Sequence, residues 1–190
     1  INAMPALSLS VETVAAVKSY NPKLDLVHGS VYTISFQYTD TANNVPFTRV
    51  HGNITFDKFT ETPFLNQPKT NDFIPLVFTL NYTLTEKAKS GTLFLRFKPL
   101  GGGVLDTTAE RKMTLSDAAI DPGNYVFTIG RFEDALSSQY IDNIQPLVGL
   151  VDGCLYDIIL EYQDLAANVK AVAINNNIVF ASNETLPFVL

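Results

Sequence analysis

The chain has 190 residues, of which 46% are hydrophobic and 17% charged, and its formal net charge is −6. This composition is too apolar for a disordered acidic tail and provides enough apolar residues for one or two packed cores. The longest basic run is the pair Arg111-Lys112, which excludes the clustered Lys and Arg of a nucleic acid interface, and no apolar stretch is long enough to span a membrane.

Alternating apolar and polar residues predict a series of half-buried antiparallel strands. The first places Tyr32, Ile34, Phe36 and Tyr38 on one face. The second covers residues 73–84, where Pro75 indicates a sheet edge or a late strand start. Further strands are predicted at residues 92–97, 111–115, 125–129, 156–162 and 169–180. Only residues 132–138 predict a helix, of one or two turns.

The sequence contains a long internal repeat. Residues 26–65 recur without a gap at residues 150–189, an offset of 124, with fifteen identical positions. Average residue usage would give only about two or three identities by chance. A period of 124 residues is too long for a solenoid unit and matches a whole β-sandwich domain with its linker.

These patterns predict an all-β protein built from tandem Ig-like or fibronectin-III-like antiparallel β-sandwich repeats. Residues 65–190 would form a complete domain, and residues 1–64 the later half of the preceding one. Such a half must be completed by upstream residues, by a partner chain or by rearrangement. Tyr32 and Tyr156 fit the position of a tyrosine corner, in which the hydroxyl bonds to upstream backbone.

Four segments carry a resemblance to a known kind of domain: residues 56–63, 82–95, 152–156 and 164–168. They resemble the Ig-like repeats of giant surface and adhesin-type proteins of bacteria and single-celled eukaryotes. Asn43 and Ala167 depart from that pattern, because glycine is common at their turn position, and Ala181 stands where the first copy has Asp57. The resemblance implies a structural or adhesive role.

No catalytic motif is present, and no Cys, Asp or Glu stands at a recognisable triad or metal-ligand spacing from either histidine in the sequence. The single cysteine, Cys154, rules out an intramolecular disulfide. Interdomain calcium is a further hypothesis, with Asp40, Asn44 and Asp57 as ligands and Glu61 and Asp72 nearby. The alternative is that Asp40 and Asp164 bond the backbone of their own turns, as Asx turns do.

Three Asn-x-Thr sequons begin at Asn53, Asn81 and Asn183. Asn53 and Asn81 fall on the outward, polar phase of their predicted strands, and Asn183 falls in a linker. We therefore expect all three to be open to a glycan if the protein comes from a eukaryote.

The sequence predicts a non-enzymatic repeat of a large extracellular or cell-surface protein, filament or adhesin. Its partners would be neighbouring repeats of the same protein, including homotypic head-to-tail assembly, with no nucleic acid and no membrane span. The alternative is a module that binds a glycan or a protein through the loops at residues 99–108 and 117–124.

Overall fold

The computed structural model of the chain describes residues 25–42, 44–101, 104–108 and 110–182. It divides into two compact units, Ile1–Phe56 and Asp57–Leu190. The second unit therefore begins at Asp57, whereas the second domain was predicted from residue 65.

The described residues are almost entirely strands and turns, which confirms the predicted all-β class. The strands are β1 Val31–Tyr38, β2 Phe47–Thr55, β3 Phe64–Gln67, β4 Phe73–Ile74, β5 Phe78–Leu84, β6 Phe94–Pro99, β7 Arg111–Leu115, β8 Gly123–Ile129, β9 Ile141–Gln145, β10 Leu155–Tyr162 and β11 Ala171–Phe180. Helical structure among the described residues is limited to a 3₁₀ turn, Asp117–Ala119, and one short helix, α1 Phe132–Ala135.

The second unit contains a six-stranded sheet in the order β4-β11-β10-β6-β7-β9 and a three-stranded sheet in the order β3-β5-β8. Inward residues of both sheets form one hydrophobic cluster, with Leu80 and Tyr82 from β5 and Leu95, Phe97 and Leu160 from the larger sheet all fully buried. Burying these side chains against each other provides the main stabilisation of the unit.

One predicted strand divides between the two sheets. The alternation over residues 73–84 continues in register, but Pro75 follows β4, a two-residue edge strand, and β5 begins only at Phe78. Because proline has no N–H to give to a ladder, the chain leaves one sheet there and joins the other.

The sequence did not predict β3 and β9. β3 has only four residues. In β9 the buried Ile141 and Ile144 are three residues apart, because the pairing of β7 with β9 shifts register between Thr114 and Leu115. A bulge of this kind hides a strand from a search for period-two alternation.

A buried polar network centred on Tyr156 joins β7, β10 and the loop before β7. Arg111, fully buried, pairs with Asp106 and donates to the carbonyl oxygens of Val148 (3.2 Å) and Gly149 (2.7 Å). The Tyr156 hydroxyl donates to Asp106 Oδ2 (2.5 Å) and accepts from the Val151 amide (2.8 Å). This last bond confirms the predicted tyrosine corner.

The network sets the charge state of its carboxylate. Burial alone would raise the pKa of Asp106, but hydrogen bonds from Arg111, Tyr156 and Thr108 hold that pKa at about 2. Asp106 therefore stays ionised inside the fold across the physiological range, and its buried charge is fully paired.

The first unit contains a hairpin, β1–β2, whose local geometry matches β10–β11 at the repeat offset. Val31 pairs with Thr55 as Leu155 pairs with Val179. Both hairpins then shift register at equivalent points, after Tyr32 in the first and after Tyr156 in the second. Gly29 and Gly153 both have a left-handed φ, 76° and 74°. The Val27 amide donates to the Tyr32 hydroxyl at 2.8 Å, as the Val151 amide does to Tyr156.

These matched tyrosines allow a controlled test of the network. Tyr156→Phe should lower the free energy of unfolding of the second unit by about 2–3 kcal/mol, since it leaves the buried Asp106 carboxylate and the Val151 amide each short of a partner. Tyr32→Phe removes the equivalent exposed bond and should cost under about 1 kcal/mol. Urea unfolding followed by circular dichroism compares the two, and equal costs would show that the network adds nothing.

Candidate functional site

Three carboxylates meet at one end of the second unit. Oxygen atoms of Asp57, Glu86 and Asp164 all lie within 4.8 Å of one another, and Asp164 is buried while the other two are half-buried. Asp57 begins the segment that leads into the unit, Glu86 follows β5, and Asp164 follows β10. We call these three residues the carboxylate cluster.

The turn after β10 fixes the Asp164 side chain. Its Oδ1 accepts from the Asn168 backbone amide (3.0 Å), and its Oδ2 accepts from the Asn168 side chain (2.8 Å). Ala167 in this turn has a left-handed φ of 62°. A conformation of this kind is strained for residues with a Cβ, and glycine adopts it at no steric cost.

The same residues hold the incoming segment in place. Thr60 Oγ1 donates to Asp164 Oδ2 (3.1 Å), and Asn168 Nδ2 donates to Asp57 Oδ1 (3.1 Å). The Tyr162 hydroxyl donates to the Glu61 carbonyl oxygen (2.6 Å), and the Glu61 amide donates to Glu86. The cluster is therefore the point at which the chain is fastened as it joins the second unit.

Two carboxylates of the cluster have pKa values that are shifted in opposite directions. Burial, together with the nearby charges of Asp57 and Asp164, raises the pKa of Glu86. Burial acts in the same direction on Asp164, but hydrogen bonds from Asn168 and Thr60 outweigh it and lower the pKa of Asp164. Glu86 therefore takes up a proton more readily than Asp164 does.

The structure places the predicted calcium ligands in different units. Asp57 lies in the second unit with Glu86 and Asp164, whereas Asp40 and Asn44 lie in the first unit. Asp40 Oδ1 accepts from the amides of Ala42 (3.0 Å) and Asn44 (3.2 Å), and Oδ2 accepts from the Asn44 side chain (2.7 Å). These bonds form an Asx turn and lower the pKa of Asp40.

Sequence reasoning missed Glu86 and Asp164 as neighbours of Asp57. The repeat offset was the signal that could have found one of them, since Asp164 and Asn168 are the counterparts of Asp40 and Asn44. Of the other residues suggested as ligands, Asp72 accepts from the Lys69 amide (2.6 Å), which closes its own turn. Calcium stays a prediction, and it needs six to eight oxygen ligands.

The two sequons within the described residues differ in access. Asn53 is exposed on β2, at a left-handed φ of 57°. Asn81 is half-buried at the centre of the three-stranded sheet, where its side-chain oxygen accepts from Asn66 (3.2 Å). Asn183 lies outside the described residues. Glycosylation stays a prediction at all three positions, and Asn53 offers the more open acceptor of the two described.

The two loops suggested for ligand binding lie at opposite ends of β10. Leu100 bonds to Leu155 at the first residue of β10, whereas Ile120 bonds to Ala88, which bridges to Asp164 beyond the last residue of β10. An eight-residue strand separates them by roughly 25 Å. They therefore do not form one binding surface.

A cleft of about 440 Å³ lies at the Leu155 end of the unit. Its apolar lining includes Leu76, Phe78, Phe132 and Phe180, and its polar lining includes Asp152. The Asp152 carboxylate already accepts from the Ser182 hydroxyl (2.8 Å). This volume lies within the range of small-ligand sites.

The sequence matches the model of no protein family, and no curated protein matches it. In the part of the chain that the structure describes, there is no helix of the length and apolarity needed to cross a membrane.

The raised pKa of Glu86 makes a prediction about stability. A folded-state pKa above the unfolded value means that the negative charge of Glu86 costs stability at neutral pH, and this cost disappears as the pH falls through the folded-state pKa. Glu86→Gln should therefore raise Tm at pH 7 by about 2 °C and leave Tm unchanged near pH 4. Glu133→Gln, which removes an exposed charge on α1, is the matched control.

The same variants test calcium. If the carboxylate cluster holds this ion, millimolar CaCl₂ raises the Tm of the wild type and of Glu133→Gln but not that of Glu86→Gln. Identical melting curves of the wild type in calcium and in chelator would contradict a calcium site there.

Proposed function

We propose that the chain is a non-enzymatic structural and adhesive segment of a large extracellular surface protein or filament, composed of tandem Ig-like β-sandwich repeats with a period of 124 residues. Two sheets that are antiparallel except for the parallel β4–β11 pair share one core, and together with the tyrosine corner at Tyr156 they support the sandwich assignment. The matched geometry of the β1–β2 and β10–β11 hairpins supports the repeat.

The path of the chain through the second unit is the observation that carries the proposal. The incoming segment is fastened at the far end of β10, where Thr60 bonds to Asp164 and Glu61 bonds to Tyr162. Strand β11 ends beside the start of β10, where the Phe180 amide donates to the Cys154 carbonyl oxygen (3.0 Å). If the chain enters a repeat at one end of its strands and continues from the other end, tension on the chain is transmitted along those strands. A repeat in a fibre requires this arrangement.

Head-to-tail association with neighbouring repeats follows from this path. The first unit releases its chain in the same way as the second, since the Phe56 amide donates to the Ser30 carbonyl oxygen (2.9 Å). Each repeat would thus deliver the chain to the next one in the same geometry. The exposed sequon at Asn53 fits a surface location.

The alternative function is a module that binds a glycan or a protein. The 440 Å³ cleft favours it, because its phenylalanine lining offers an apolar floor beside polar groups. Arg131 is exposed and also lines the cleft. Saturable binding on a glycan array that Arg131→Ala abolishes would support this alternative and weaken the structural proposal.

Mechanical unfolding tests the structural role. Pulled from both ends, the second unit should unfold in one cooperative event that lengthens the chain by roughly 400 Å, the extended length of residues 57–182 less the folded span. Tyr156→Phe should lower the unfolding force, and Tyr32→Phe should not. Gradual extension without a discrete event would contradict a load-bearing repeat.

A further inference from the structure

The described part of the first unit carries an apolar sheet face that is largely exposed. Ile34, Phe36 and Tyr38 on β1 are 55%, 61% and 53% exposed, and Phe47 on β2 is 50% exposed. Their rings contact each other, with the Tyr38 centroid 5.9 Å from that of Phe36 and 5.5 Å from that of Phe47. We call these four residues the open face.

The counterparts of the open face are buried. Ile158, Leu160 and Tyr162 on β10 are each 0% exposed, and Ala171 on β11 is 8% exposed. The two hairpins have the same register and the same turn bonds, so the difference lies in what covers them. In the second unit, β6 pairs with the free edge of β10, and the β3-β5-β8 sheet shares its core.

Among the described residues, one edge of β1 is also unpaired. Among the described residues, β1 pairs with β2 alone, whereas β10 pairs with β11 on one edge and β6 on the other. A two-stranded hairpin with a bare apolar face is at best marginally stable in water. Both the edge and the face therefore favour a partner.

Residues 57–182 of a second copy cannot supply strands equivalent to β6 and β5 while they stay folded. β6 is already bonded on both edges, to β10 and β7, and β5 is bonded on both edges, to β3 and β8. The partner must be a separate segment with the same strand pattern.

We infer that the β1 edge and the open face form a docking site for a polypeptide segment of this same repeat type, which adds a strand equivalent to β6 beside β1 and covers the open face with a strand equivalent to β5. This inference rests on the proposed repeat architecture and names its partner. Leu95 and Phe97, the buried residues of β6, identify the side chains that the added strand would place next to Ile34 and Phe36.

The test uses the full chain and a synthetic peptide of residues 92–100 with a solubilising tail. We expect saturable binding to the wild type, at least a tenfold loss with Phe36→Asp, and a change of less than twofold with Ser35→Asp. Ser35 is exposed on the same strand but faces the other side, so it controls for the added charge. A peptide with Leu95→Asp and Phe97→Asp should not bind.

Two further measurements separate the outcomes. Two peptides are N-methylated at alternate residues, one at the odd and the other at the even positions. One of them should bind less well than the other, because an added strand donates only the backbone amides of its paired edge. Unchanged urea unfolding of the second unit in Phe36→Asp shows that the variant remains folded there.

Absent or Phe36-independent peptide binding would overturn the inference, and so would a wild-type dimer that Phe36→Asp dissociates, which would make a second copy the occupant. Neither result affects the pulling experiment on the second unit, which tests the repeat itself.

Discussion

The fold depends on covering one apolar hairpin. Ile158, Leu160 and Tyr162 of β10 lie on one face of the β10–β11 hairpin, and a two-stranded element cannot bury such a face by itself. The second unit solves this with β6 at the edge and β5 and β8 across the core. The Asp106–Arg111–Tyr156 network then ties the β6–β7 loop to the start of β10, so that the covering strands and the hairpin are fixed to each other.

The sequence predicted those parts of the fold that are encoded locally. Alternation located β7 exactly and β5, β8, β10 and β11 within a few residues, and the Tyr156 hydroxyl bond followed from the spacing of its motif. Pro75 marked the point where a strand ends, but the transfer of the chain to another sheet depends on the tertiary pairing. β9 was hidden by a bulge, and its existence depends on its partner β7.

The carboxylate cluster shows a similar limit. Asp57 was recognised as a potential ligand, but Glu86 and Asp164 lie 29 and 107 residues further along the sequence, and only the fold brings them together. The cluster lies where Thr60 and Glu61 hold the first residues of the second unit, which links its electrostatics to the start of that unit. The candidate metal-binding carboxylates and the hydrogen bonds that hold Thr60 and Glu61 thus involve neighbouring residues.

Function in this account follows from repetition. One hairpin design occurs twice, with the same register, glycine turn and tyrosine bond, and each copy releases the chain in the same way. The two hairpins differ in the strands that pack against them. Strands β5, β6 and β8 bury the apolar face of the second hairpin, whereas the corresponding face of the first is exposed among the described residues. In the proposed repeat protein, length would increase with the number of copies, and the open face would bind the added segment.

Hydrogen exchange within a single sample tests this account most directly, because the two hairpins serve as each other's control. In the monomeric protein, confirmed by light scattering, the amides of residues 155–162 should exchange only through unfolding of the whole second unit, and those of residues 31–38 should exchange at least about 100-fold faster. Equal protection of the two strands in the monomer would contradict the account, because it would mean that the first hairpin is already as fully covered as the second.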